Sequence, residues 1–392
     1  MDCDNRQESP NNNVLILVND EIFVRSHWLP LIRNLHKQAK HVTLYTKTRD
    51  ENFSEALPCG MTIISSHLSR NNTSPFHFLR QLIQLRHCYR EANPELVIAV
   101  GIQSILTWSF AFPLLRCKVI LLVTGLGALF TLPNLTIRLL VQRTLVQISL
   151  FFVLRRPQSK VVVESNSLGS RMSSMFRLTQ ENISVIPGAG VDTDVLVRVR
   201  DARNHVGRLR VTFIGRLTED KGFQDFMMVA RALAERGSSF REFVAAGTLD
   251  TESPSCIARA DLDSVIAEGA LKYLGQVENV KAVLQDTDVL LFPSRGEGLP
   301  KAVLEAMSME CVVIAYDVVG CRDLIQSGYN GFLIPSLRLD LMKQKILEIE
   351  EDRDLIREIG KNARKLVERN YSIKAFENSI GSLIESCSSQ PN

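Results

Sequence analysis

Short apolar runs recur along the chain, each followed by a stretch with helical spacing of its apolar positions. Residues 14–19 form one such run, residues 28–38 repeat apolar positions on one helical face, and a second run follows at 42–45. Runs of this length without alternation mark strands buried on both sheet faces, and interleaving them with helices predicts βαβ units and parallel sheets. The pattern continues with a short strand at 63–64, a helix over 76–91, a strand at 96–100, a helix over 102–113 and strands at 118–124, 161–163 and 183–186. It resumes with strands at 210–214, 243–246, 273–274, 289–292 and 311–315, a short helix at 280–285, helical periodicity over 341–369 and a last helix over 371–386.

At 392 residues the chain exceeds one hydrophobic core, so two domains are expected. The reading places a disordered start at 1–13, a first Rossmann-like domain at 14–190, a second at 191–370, and at 371–392 a terminal helix and tail. The eight cysteines are scattered, with no C-x-x-C pair and no Cys/His cluster, which points away from a zinc site or a disulfide framework. The polar, acidic start lacks a secretory pattern, and reducing cytoplasm is the expected compartment. The net charge of +3 is uneven: about 20 Lys and Arg stand against about 12 Asp and Glu up to Pro187, and the remainder is acidic. A basic first half suits an anionic membrane surface, or reflects scattered surface charge.

Candidate chemistry concentrates in the stretch from Asp288 to Glu305. The strand at 289–292 runs into a Pro-, Ser- and Gly-rich loop and then a helix opened by Pro300, with Glu297 in the loop and Glu305 inside the helix. A helix N-terminus presents unpaired N–H groups and a partial positive charge, so Gly298, Leu299, Pro300 and Lys301 can seat a phosphate or a sugar, and the carboxylates can bind hydroxyls. Upstream, Gly215-Arg216-Leu217-Thr218-Glu219-Asp220-Lys221-Gly222 follows a strand and precedes a helix. Arg216 and Lys221 converging there would form a diphosphate clamp; alone, such a pair would read as solvated surface.

The string Pro293, Ser294, Glu297, Gly298, Pro300, Leu304, Glu305, Ala306 and Met307 resembles the E-x7-E motif of the GT-B glycosyltransferases of family 4, and Gly215 to Gly222 resembles that family's G-R-x-x-x-x-K-G motif. The resemblance spans nearly the whole chain. It implies an α/β fold of two doubly wound Rossmann-like domains facing across a cleft, with the terminal helix crossing back to the first domain. It also implies sugar transfer from a nucleotide-sugar, UDP-linked, to an acceptor hydroxyl with retention of configuration. Arg216 and Lys221 would neutralise the departing diphosphate, Glu305 would bind the ribose hydroxyls, and Glu297 would hold the donor sugar. No cofactor and no metal are expected, the nucleotide-sugar being a co-substrate. The 317–323 segment is similar to the family's A-x-x-x-G-G-x-x-E but carries Val319 and Asp323 in place of a glycine and the glutamate; these departures are expected to leave the phosphate and hydroxyl ligands untouched.

On the acceptor side, Thr124-Gly125-Leu126-Gly127 resembles the members that extend polyprenyl-diphosphate-linked glycans, so Thr124, Gly125 and Gly127 are candidates, as is His27 at the first strand–helix junction. A lone histidine at such a junction is more often a packing or capping residue than a catalyst. The apolar stretch 135–154 contains Arg138, Gln142, Arg143 and Gln147, too polar for a bilayer span; it is either internal packing or a helix offering apolar surface to a membrane interface. The expected partners are a nucleotide-sugar, a lipid-linked saccharide and the cytoplasmic membrane face, with no nucleic acid. Asp192-Thr193-Asp194 and Asp286-Thr287-Asp288 spell D-x-D, a metal-holding pattern elsewhere, but neither lies at the carboxyl end of a strand. An epimerase on the same fold and a non-catalytic nucleotide-sugar-binding subunit are the alternatives.

Overall fold

The structure is a computed structural model and describes residues 13–39, 41–66, 75–112, 117–125, 137–156, 159–188, 190–199, 209–234, 241–251, 253 and 255–388. The expectations for the first twelve residues, for Gly127 and for the end of the tail lie outside these. The chain divides into two compact units, Met1–Gly190 with Lys374–Asn392, and Val191–Ile373.

The first unit is built on a seven-stranded sheet: β1 (Asn13–Asp20), β2 (His41–Lys47), β3 (Thr62–Ser65), β4 (Leu96–Val100), β5 (Lys118–Val123), β6 (Ser159–Val163) and β7 (Ile183–Val185). Their spatial order is β3-β2-β1-β4-β5-β6-β7, every pairing parallel. Because successive side chains point to opposite faces, Leu15 and Leu17 of β1 pack on one side and Val14, Ile16 and Val18 on the other. The first side is covered by the helices Pro75–Ala92, Gly101–Ala111, Ile137–Val153 and Asn166–Phe176. The second is covered by Leu29–Gln38 and by the terminal helix Ile373–Ser388, whose Phe376, Ile380 and Ile384 join Trp28, Leu31 and Leu35. Phe376 meets Trp28 edge-on, with ring centroids 6.3 Å apart.

The second unit carries β8 (Leu209–Ile214), β9 (Arg241–Ala246), β10 (Lys272–Tyr273), β11 (Val289–Phe292), β12 (Val312–Tyr316) and β13 (Phe332–Ile334), in the order β10-β9-β8-β11-β12-β13, again all parallel. The chain winds outward from β8 in one direction and from β11 in the other. The two strands are hydrogen-bonded neighbours, so their carboxyl ends flank the switch point at which doubly wound sheets bind ligands.

Several local expectations need correction. The periodicity over 341–369 is two helices, Leu339–Glu350 and Arg353–Asn370, separated at Asp352, whose carboxylate accepts the Leu355 N–H at 2.9 Å and caps the second. Pro300 is the extended residue before the helix Lys301–Ser308, not its first turn. A helix at Arg259–Ala267 and the strand β13 escaped the sequence reading, both too short for periodicity to stand out. The helix Leu29–Gln38 is entered through a wide, π-type turn, Val24–Trp28.

Truncating the buried ring that docks the terminal helix tests this packing. Phe376→Ala is expected to lower the stability of the first unit by about 3 kcal/mol, the usual cost of an emptied aromatic site. Denaturant unfolding followed through Trp28 and Trp108, both buried in that unit, would show it; an unchanged midpoint would contradict the docking.

Candidate functional site

The loops that leave β8 and β11 are bound to one another. Asp220 O accepts the Arg295 N–H at 3.0 Å, and the Ser294 hydroxyl oxygen lies 3.4 Å from it. Gly222 has a φ of +73°, and a Cβ built on it would lie 1.9 Å from Pro293 O, so only glycine lets the chain turn into the helix Phe223–Ala234 at this distance. The turn sets Lys221 beside Glu297: Nζ donates to Oε1 at 2.7 Å, and the Ser294 hydroxyl donates to the same oxygen at 2.7 Å. Two residues 76 apart in sequence thus form one charged, half-buried pair.

Arg216 lies across the same loop and is exposed. Its Nη1 donates to Asp250 Oδ2 at 3.0 Å, and its Nη2 is 3.9 Å from Asp220 Oδ2. Asp250 belongs to the turn after β9, which is joined to the Arg216 loop by the Leu217 N–H to Thr248 O bond, 2.9 Å, and the Glu219 N–H to Ser255 O bond, 2.8 Å. The Ser255 hydroxyl donates to Asp220 Oδ1 at 2.6 Å. Burial alone would push the Asp220 carboxyl up, but the bond from Ser255 and the nearby Thr218 hydroxyl, Lys221 and Arg216 charges outweigh it and hold the group below its ordinary value. Each clamp cation is therefore met by a carboxylate of the chain itself.

Glu305 sits on the fifth residue of the helix Lys301–Ser308, with Oε1 3.6 Å from Lys301 Nζ. Burial raises its carboxyl above the ordinary value, against the opposing pull of Lys301. The segment after β12 forms a short helix, Val319–Arg322, and it touches the glutamate loop: a Cβ on Gly320 would meet Gly298 O at 2.3 Å and Glu297 O at 3.1 Å. Cys321, fully buried there, has its thiol pushed well up by burial and by the Glu297 charge. Gly320, which keeps the motif's glycine, thus makes this segment a wall of the Glu297 loop.

In the first unit, Thr124 lies at the end of β5 near the corresponding switch point. Gly101, with a φ of +81°, stands between Asn19 Nδ2, 3.8 Å from its would-be Cβ, and Thr124 Oγ1, 4.0 Å from it; the Ser104 hydroxyl donates to Asn19 Oδ1 at 2.7 Å. Gly125 follows Thr124, half-buried. His27 makes different contacts, with Nδ1 2.6 Å from Ser26 Oγ and its ring 4.8 Å from that of Phe23, as a packing residue would. The D-x-D pairs are structural. Asp192 accepts the Asp194 and Val195 N–H groups, while Asp286 and Asp288 hold Arg210, through Nη1 at 3.0 Å and through its N–H at 3.0 Å. Among the described residues no group of three His, Cys, Asp or Glu could hold a metal ion.

Sequence reasoning passed over Ser294, Asp220, Asp250, Asn19 and Ser104. Ser294 stood in the motif string with no role assigned to it and Asp220 stood as an apparent spacer, while Asp250 had no signal, because its partner becomes visible only once β8 and β9 lie side by side. The raised Glu305 carboxyl carries a stability consequence. Folding favours its protonated form, so stability falls as pH rises from the ordinary carboxylate range through the raised folded value, and the charge is a cost above it. Glu305→Gln is therefore expected to raise the Tm at neutral pH and to lose that advantage below the ordinary carboxylate range. Thermal unfolding across pH checks this, and a variant less stable throughout would contradict it.

Comparison with known proteins bears on this arrangement. Residues 208–352 match the family described as glycosyl transferases group 1. Over 353 residues the chain is 27% identical to the N,N'-diacetylbacillosaminyl-diphospho-undecaprenol alpha-1,3-N-acetylgalactosaminyltransferase of Campylobacter jejuni, covering 86% of this chain and 88% of that protein. Sucrose-phosphate synthase of Thermosynechococcus elongatus shares the fold with a TM-score of 0.78 at 17% identity, over 95% of this chain and 98% of that one. HepE of Anabaena, solved in complex with UDP, does so with a TM-score of 0.73 at 15% identity, over 95% and 100%. With the switch-point loops of the second unit carrying the motif residues inside the matched region, the chain is a glycosyltransferase of GT-B fold, and residues 208–352 of its second unit are similar to the glycosyl transferases group 1.

Proposed function

We propose that the chain transfers a sugar from a UDP-sugar to a saccharide carried on a polyprenyl diphosphate, with retention at the anomeric carbon and without a metal ion. The observation that carries this reading is the gathering of Arg216, Lys221, Glu297 and Glu305 on the loops and helix that follow β8 and β11. The Campylobacter relative is named for an acceptor on undecaprenol diphosphate, and HepE was solved with UDP, which support the acceptor and donor classes respectively. No described helix is long and apolar enough to cross a membrane. The first unit meets the cytoplasmic face of the membrane as a peripheral contact, supported by its basic half-chain and by the exposed Leu140, Ile148, Phe151 and Phe152 of the helix Ile137–Val153.

In this mechanism the bond between the anomeric carbon and the diphosphate breaks, and the electrons leave on the phosphate oxygen. Arg216 and Lys221 neutralise that charge, the role a divalent ion plays in other transferases. The departing phosphate takes the acceptor hydroxyl's proton as the new glycosidic bond forms on the same face. Glu297 accepts hydroxyls of the donor sugar while Lys221 and Ser294 fix its other oxygen, and Glu305 in its ionised form accepts the two ribose hydroxyls. No separate general base is needed.

Turnover with a panel of UDP-sugars and lipid extract tests the proposal. UDP release is expected to require the extract and to survive EDTA. It is expected to fall about a hundredfold or more in Lys221→Ala, Arg216→Ala and Glu297→Gln. Conversion of the donor without acceptor, or loss of activity with EDTA, would sink it. A second expectation concerns Asp250, which competes with the diphosphate for Arg216. Asp250→Asn is expected to tighten UDP binding about threefold to tenfold, the worth of a partly exposed charge pair. Calorimetric titration of UDP would read this, and unchanged or weaker binding in a folded variant would remove Asp250 from the site.

A further inference from the structure

We infer that the membrane contact of the first unit is made chiefly by the outward face of the helix Pro75–Ala92, extended by Phe110, and that this face recognises an anionic lipid surface; the inference deepens the peripheral-membrane part of the proposal above. On this helix Gln81, Leu85 and Cys88 are buried against the sheet. The opposite face places Phe76, Leu79 and Ile83 at spacings of three and four residues, all exposed, Phe76 by 84%. Arg80, Arg86, His87 and Arg90 share that exposed face, Arg80 among the apolar residues and the others toward the C-terminal end. Phe78 reaches sideways to Phe110 of the helix Gly101–Ala111, ring centroids 5.6 Å apart and nearly perpendicular, and Phe110 is itself half exposed. The next helix in the layer, Ile137–Val153, adds the exposed Phe151 and Phe152.

Among the described residues the exposed phenylalanines all lie on these three helices, which neighbour one another over one sheet face. Elsewhere exposed apolar residues are aliphatic or single and scattered, the ordinary condition of a protein surface. The charges decide the partner. The helix Pro75–Ala92 carries three arginines against one acid, Glu91, which is 3.3 Å from His87. A protein partner of mixed charge would not select so one-sided a rim, whereas a bilayer interface takes aromatic rings at the level of its headgroups and arginine stems lying along its apolar edge. Anionic headgroups supply the complement to Arg80 and Arg90, while Arg86 donates its Nε–H to Ala111 O at 2.8 Å. Attachment of this kind would hold the first unit at the surface where a lipid-linked acceptor is anchored.

The experiment is co-sedimentation of the full chain with vesicles of phosphatidylcholine alone or with a third phosphatidylglycerol, with light scattering of the free protein. The parent chain is expected to bind the anionic vesicles in a salt-sensitive manner. Phe76→Ser/Leu79→Ser/Ile83→Ser is expected to lose at least about tenfold in partition, as is Arg80→Ala/Arg90→Ala, chosen from exposed positions so that the fold survives. Transfer to an acceptor solubilised in detergent is expected to be unaffected in both. Parent-like vesicle binding by both variants, no binding by the parent chain, or a dimer that the triple variant dissociates while vesicle binding persists, would each overturn the inference. If detergent-phase transfer is absent from the parent while vesicle binding behaves as described, the transferase reading fails and the surface assignment stands.

Discussion

The second unit depends on a backbone approach too close for any side chain but hydrogen. Gly222 turns against Pro293 O, and the Asp220 carbonyl ties the same loop to Arg295. With the two loops tied together, Lys221 and Glu297 meet at 2.7 Å. Gly320 repeats the device on the other side, lying against the carbonyls of Glu297 and Gly298, so the glutamate loop is held between two glycines contributed by different strand ends. Positioning of this kind places the proposed catalytic groups on a scaffold rather than on a loop tip, which is what electrostatic stabilisation of a leaving group requires.

The electrostatics follow from that packing. Three loops converge with two cations and three carboxylates, and each cation has a carboxylate within reach. The arrangement pairs the charges of a partly buried region within the chain, and in the proposed mechanism a diphosphate would replace one set of these carboxylate contacts. Glu305 is the exception: burial raises its carboxyl despite Lys301 nearby, so the folded chain retains a group whose ionised form it disfavours. Sites that bind substrate hydroxyls commonly carry such a cost, because the acceptor must be desolvated before the substrate arrives.

The two faces of the first sheet are treated differently. One is sealed by the terminal helix, which brings Phe376, Ile380 and Ile384 back across the length of the chain to Trp28 and Leu35. The other is covered by a helical layer whose outer side still shows phenylalanine rings among arginines. An interior needs only the inward half of each helix, so the outward half of the second layer is free to be selected for something else. The same unit also has its own switch-point group, Asn19, Gly101, Ser104 and Thr124, a polar cluster of the kind expected where an acceptor is received.

Much of this was legible in the chain. Apolar runs alternating with helical spacing determined parallel doubly wound sheets, because strands buried on both faces cannot alternate with polar residues. The motif spacings around Arg216, Lys221, Glu297 and Glu305 identified the loops after β8 and β11, because a strand end followed by glycine, proline and a helix start has few conformations. What the chain could not determine alone was which distant groups meet. Lys221 finds Glu297 and Arg216 finds Asp250 only because the strand order places β8 between β9 and β11. The D-x-D pairs became a turn closure and an arginine holder, and Phe76 became a surface residue, for the same reason: sequence spacing defines which residues share a face, while the topology of the sheet decides what that face touches.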